Sequence, residues 1–186
     1  MFFFPFVGFL LLWGYLRISG GSFRDLGFSW SRCTIRSFIT GSIIGVGYAG
    51  AVWFVIGPLL QALGFKGPDL SDFYGIRTNL SQYIVVLVIA WAWVIPYEEI
   101  IFRGFLLNTL QKWVSAYWIA GILSSVLFAA YHWQEGWSAV ISIFIFSLVA
   151  TWIYQHFNKN LWYVIFFHAV YDTVMLTLIR AGYFGG

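Results

Sequence analysis

LSQYIVVLVIAWAWVIPYEEIIFRGFLLNTLQK, residues 80–112, decides what kind of protein this is. The stretch 80–96 is apolar and close to the ~20 residues that a helix needs to cross the hydrocarbon of a bilayer. The segment after Pro96 stays too apolar for a plain loop, yet it carries Glu98, Glu99 and Arg103. The reading is a kinked continuation of the same helix, with the proline at the kink because it lacks an amide donor and crowds the preceding turn.

Comparable apolar stretches run roughly over 2–16, 38–63, 115–131, 138–155 and 161–180. The first is short and contains Pro5. The expected fold is therefore all-α, a polytopic membrane helix bundle of about six to seven transmembrane helices, forming a single membrane-embedded domain over 1–186. Composition agrees. Of 186 residues 61% are hydrophobic, 23% aromatic and only 9% charged, and the mean hydropathy is +0.82. A soluble domain devotes about a quarter of its residues to charge and could not cover this much apolar surface. The net charge of +3 is small and its basic residues lie between apolar runs rather than in a patch, so no nucleic-acid partner is expected. Cys33 is the only cysteine, which excludes an intrachain disulfide and CxxC-type metal motifs. Nothing near the N-terminus reads as a removable signal peptide, and the expected location is the cell membrane.

The ten Lys and Arg residues divide between alternate connections. Arg17, Arg24, Arg32, Arg36, Arg103, Lys112 and Lys159 fall on one side, and Lys66, Arg77 and Arg180 on the other. By the positive-inside rule the first, third and fifth connections face the cytoplasm and the N-terminus lies outside. Residues 64–79, rich in Gly, Pro, Asp and Asn, form the clearest loop. Gly41 and Gly45 make a GxxxG spacing in the second span, with Gly47 and Gly50 extending a small-residue face suited to close helix packing.

Three acids, Glu98, Glu99 and Asp172, fall within or against apolar helical sequence together with Arg103, His132 and His168. An ionisable group at that depth costs at least a few kcal/mol and so marks a functional site with a partner. Glu99 and Arg103 stand i,i+4 on one face and should pair. Glu98 points roughly 140° away from Arg103 at about 100° per residue. A carboxylate left without a local cation needs a partner on another helix and is suited to general-base work on water. In HAVYD, His168 and Asp172 share one face at i,i+4, where they can stabilise a developing oxyanion. In FAAYH, Phe128 and His132 stand near the end of a span. His156, in the polar QHFNKN connection, reads as a surface residue. No P-loop, GxGxxG, HExxH or GxSxG is present.

Glu98-Glu99-Ile100-Ile101-Phe102-Arg103, Phe128-Ala129-Ala130-Tyr131-His132 and His168-Ala169-Val170-Tyr171-Asp172, in that order, resemble the EExxxR, FxxxH and HxxxN/D signatures of the CAAX protease and bacteriocin-processing family, also called the Abi family. The resemblance covers about residues 80–175, the signature-bearing core. It implies an intramembrane endopeptidase acting on a peptide or protein substrate near the cytoplasmic side. Glu98 would activate water, His132 would help position it, and His168 with Asp172 would stabilise the oxyanion. Glu99, Arg103 and Phe128 would support them. Asp172 stands where the eukaryotic prenyl-protein branch has Asn. Family members have been described both as metalloproteases and as metal-independent glutamate proteases. Glu98, His132 and His168 would make a His₂Glu zinc set, but the absence of HExxH favours chemistry that requires no cofactor. Two other classes compete: a small proton-coupled transporter using the same polar residues as a relay, and a non-catalytic scaffold or immunity protein.

Overall fold

The computed structural model describes residues 3–183, and among them the chain is helical with no strand. Six continuous helical segments run in order: α1 (Phe3–Ser19), α2 (Ile35–Ala62), α3 (Leu80–Val114), α4 (Tyr117–Tyr131), α5 (Trp137–His156) and α6 (Leu161–Arg180). Local chemistry fixes their starts. Thr34 and Ser37 form a reciprocal capping box at α2. The side chains of Asn79 and Asn160 accept from the backbone N–H of Gln82 and Trp162 to cap α3 and α6.

Four of these helices, α2, α3, α5 and α6, are long and apolar enough to cross a bilayer. The stretches expected as the first and fourth spans are shorter, α1 having 17 residues and α4 15. The 115–131 expectation began two residues early, because Ser115, left-handed with φ 58°, and the extended Ala116 precede the helix. Large apolar side chains such as Leu11, Phe54 and Ile43 remain 70, 76 and 67% exposed, which only a lipid solvent tolerates in such number.

α3 has 35 residues and is about 52 Å long at 1.5 Å per residue. It continues through Pro96, as expected, by widening on both sides. Ala90–Val94 and Ile100–Leu107 are π-helical, with Ile95–Glu99 as α-helix between them. Extra residues inserted into a helix in this way re-aim the side chains beyond them, and they recur at functional sites. Here the second widening begins directly after Glu99.

α6 is the central helix. Leu161, Val164, Phe167 and Ala169 are fully buried, and Tyr163, Ile165 and His168 nearly so. α2 packs along it through the GxxxG pair. A methyl group on Gly41 would come within 2.6 Å of the Tyr163 carbonyl oxygen, and one on Gly45 within 2.6 Å of that of Phe167. Gly47 and Gly50 do not extend this contact. They face open space, because the helix turns them toward lipid.

The connections gather at two ends. At one end, Arg32 donates to the Asn158 carbonyl (2.7 Å), the Leu161 amide to Gly27 (3.2 Å), and Lys159 Nζ to Asn108 Oδ1 (2.7 Å). The first connection, the end of α3 and the α5–α6 turn are thereby joined. At the other end the Asp69 amide donates to the Glu135 carbonyl (2.9 Å), and Arg180 Nη1 to the Ile76 carbonyl (2.6 Å). That end holds the 63–79 loop, the α4–α5 turn and the close of α6. The alternation of connections matches the sequence reading, with one correction. Arg103 is fully buried and belongs to the core rather than to a cytoplasmic connection.

Candidate active site

Glu98 and Glu99 sit where α3 passes between its two widened segments, and both are buried, Glu99 completely. Arg103 Nη1 donates to Glu99 Oε1 at 3.2 Å, as the i,i+4 spacing predicts. The same oxygen accepts from His168 Nδ1 on α6 at 2.7 Å. A carboxylate only accepts here, so Nδ1 carries the proton and the imidazole is fixed in orientation. Its other nitrogen, Nε2, then faces Glu98 Oε2 at 3.9 Å and Asp172 Oδ2 at 3.5 Å. Glu98 thus finds its partner on another helix.

The guanidinium is held on two further sides. Arg103 Nη2 donates to Ser147 Oγ on α5 at 2.9 Å, and its Cζ lies 4.4 Å from the centroid of the Phe128 ring. Phe128 has a second task, because its carbonyl accepts from His132 Nδ1 at 2.9 Å. That bond leaves His132 Nε2 free to accept in the neutral ring. The Phe128 ring lies 4.9 Å from that of His132 and 6.2 Å from that of His168, so the three sequence motifs meet around one phenyl ring. Phe146 closes the apolar wall, 4.8 Å from the His168 ring. Ser124 ties α4 to α3 by donating to the Phe102 carbonyl at 2.9 Å.

The structure therefore brings Glu98, Glu99, Arg103, Phe128, His132, His168 and Asp172 into one cluster. It changes one pairing. His168 and Asp172 approach at 3.5 Å, but the short bond of His168 is to Glu99, which links the α3 ion pair to α6. Ser147 and Phe146 were not singled out by sequence. Ser147 is a polar residue inside an apolar span, and that signal could have found it; nothing marks Phe146 among the other aromatics.

Glu135, on the turn after His132, stands outside the spans. Burial, aided by Asp172 and Asp72, pushes its carboxyl up to about 7. At the opposite end burial holds the Lys159 ammonium below its usual range.

A zinc ion on Glu98, His132 and His168 would need three donor atoms converging on one point. Among the described residues no group of three or more His, Cys, Asp or Glu side chains has that arrangement; the Nδ1 bond to Glu99 leaves Nε2 as the His168 nitrogen that could ligate. In this arrangement the three side chains do not converge on one ion position.

A sequence model described as type II CAAX prenyl endopeptidase Rce1-like matches residues 80–174, slightly more than half of the chain. No curated protein and no solved structure matches. The matched region begins with α3 and ends two residues past Asp172, and so contains every side chain of the cluster. This integral membrane protein belongs to the type II CAAX prenyl endopeptidase Rce1-like family, within the CAAX protease and bacteriocin-processing group.

Proposed function

We propose that this chain is an intramembrane endopeptidase of the cell membrane that hydrolyses a peptide bond with Glu98 as general base and without a bound metal. One observation carries the reading: Glu98 Oε2 lies 3.9 Å from His168 Nε2, across a gap that one water molecule can bridge, while Glu99 and Arg103 fix the far side of the imidazole.

The chemistry follows from those positions. Glu98 takes a proton from the water as its oxygen bonds to the scissile carbonyl carbon. The carbonyl becomes an oxyanion. With His168 in the imidazolium form, Nε2–H donates to that oxyanion, and Asp172 beside it balances the charge. His132 Nε2, set by the Phe128 bond, accepts from the water and aims it. When the tetrahedral species collapses, the C–N bond breaks and Glu98 returns the proton to the departing amine. Among the described residues the buried Glu99 Oε2 and Arg103 Nε have no hydrogen-bond partner, which supports hydration of the cluster.

The test is cleavage of a library of membrane-tethered peptides by detergent-purified protein, with and without chelator. Glu98→Ala should lose ~10²–10⁴-fold in rate, the range of general-base catalysis, with its melting temperature retained. Chelator should change nothing. Undiminished cleavage by the variant removes Glu98 from the reaction, and loss with chelator replaces the base mechanism by a metal one. Proton flux without cleavage in any arm would favour a transporter.

A further inference from the structure

On its Nδ1 side the His168 ring is held by a single carboxylate oxygen that serves two donors. Glu99 Oε1 accepts from His168 Nδ1 at 2.7 Å and from Arg103 Nη1 at 3.2 Å, so the direction of the imidazole depends on where the guanidinium lies. That group is planar, and bonds at two of its nitrogens fix both its position and its plane. The second bond is the one from Arg103 Nη2 to Ser147 Oγ, at 2.9 Å. Among the described residues Arg103 Nε has no hydrogen-bond partner. Loss of the serine hydroxyl would leave the guanidinium with Glu99 and the face of the Phe128 ring alone.

Ser147 is a firm anchor. It is fully buried in the middle of α5, and that helix is tied on either side of it. The Tyr117 hydroxyl donates to the Thr151 carbonyl at 2.7 Å, one turn further on, and the Tyr48 hydroxyl donates to the Ser142 carbonyl at 3.0 Å, about one turn before. α4 lies close by, since a methyl group on Gly121 would come within 2.7 Å of Thr151 Cγ2. α5 therefore bears on the imidazole twice, directly through the Phe146 ring at 4.8 Å and through Ser147, Arg103 and Glu99 in turn. Packing does not ask for a hydroxyl at this position. Its buried neighbours along the helix, Phe146, Ala150 and Ile153, are apolar, and alanine would fill nearly the same space.

We infer that Ser147 is a positioning residue of the reaction, acting through Arg103 and Glu99 to hold the His168 ring with Nε2 toward Glu98. Its effect on rate rests on the peptidase reading; its effect on the ring rests on the geometry alone.

Ser147→Ala tests this, with Tyr154→Phe, which also removes one buried hydroxyl but lies outside the cluster, as the comparison. In proton NMR of detergent-purified protein carrying isotope-labelled histidine, the His168 Nδ1–H is assigned by its loss in His168→Asn. It should be protected in the wild type and in Tyr154→Phe, and should exchange with solvent roughly tenfold or more faster in Ser147→Ala. In cleavage of membrane-tethered peptides, Ser147→Ala should lower kcat about 10–100-fold with KM kept, as a misplaced catalytic group does, while Tyr154→Phe keeps both. An equally protected proton in Ser147→Ala overturns the inference, and so does a wild type without a protected proton. A kcat loss no larger than that of Tyr154→Phe, in a wild type that cleaves, overturns it too. If the proton behaves as expected but the wild type cleaves no peptide, the hold on the ring stands and the peptidase reading fails.

Discussion

Two polar regions lie inside this apolar bundle, and they are built on opposite plans. At the end that joins the first connection, the close of α3 and the α5–α6 turn, Asn108, Tyr154, Lys159, Arg32 and Asn160 meet backbone carbonyls and neutral side chains through bonds of 2.6–3.4 Å. In the cluster, charged groups meet one another, and two of the approaches to His168 Nε2 are as long as 3.5 and 3.9 Å. A network that only holds helices together closes its bonds, because an unsatisfied polar group in a membrane protein costs several kcal/mol. One that leaves long contacts between charged groups tolerates that cost where a reactant is to be bound.

The contrast can be broken by mutation. The largest stability effect should come from Arg103→Met, which strands the fully buried Glu99 without its cation. Breaking one partner of a buried ion pair costs about 3–5 kcal/mol, so chemical denaturation in detergent should show a loss of that order together with loss of cleavage. A loss under about 1 kcal/mol, the size of one ordinary hydrogen bond, would mean that His168 alone satisfies Glu99. A smaller effect is expected from Tyr154→Phe at the end that joins the first connection and the α5–α6 turn, which removes one hydroxyl from a satisfied network. About 1 kcal/mol of stability should go, with the cleavage rate kept; a slower enzyme of unchanged stability would make that end part of the site.

Smallest is a pH effect at the end that bears Glu135. The Glu135 carboxyl is raised from 4.5 to about 7 in the folded protein. An acid raised by folding favours the native state while protonated, so its contribution is lost as pH rises from about 4.5 through 7. Glu135→Gln should flatten that part of the melting-temperature profile. An unchanged slope would assign it to other groups.

Much of this arrangement was legible in the sequence because the membrane makes polar residues conspicuous. Glu98, Glu99, Arg103, His132, His168 and Asp172 stood out against their spans, and helical spacing alone paired Glu99 with Arg103. Gly41 and Gly45 likewise announced a close helix contact. What escaped depends on how helices meet. Nothing in the chain says that Glu99 bonds to His168, that Ser147 reaches Arg103 or that Phe128 lies against the guanidinium, since those partners are separated by 69, 44 and 25 positions. The π-helical widening around Pro96 also lacks a sequence mark beyond the proline. Gly47 and Gly50 misled for the related reason that small residues fit a contact without requiring one.

The central claim is that Glu98 and His168 act as a unit, the one on the water and the other on the oxyanion that its attack creates. A double-mutant cycle on cleavage of a membrane-tethered peptide tests it most directly, comparing Glu98→Gln, His168→Asn and the double variant with the wild type. Groups that act together are strongly non-additive, so the account predicts a double variant about as slow as the slower single one. Losses that multiply, or a single variant that cleaves at the wild-type rate, would contradict it.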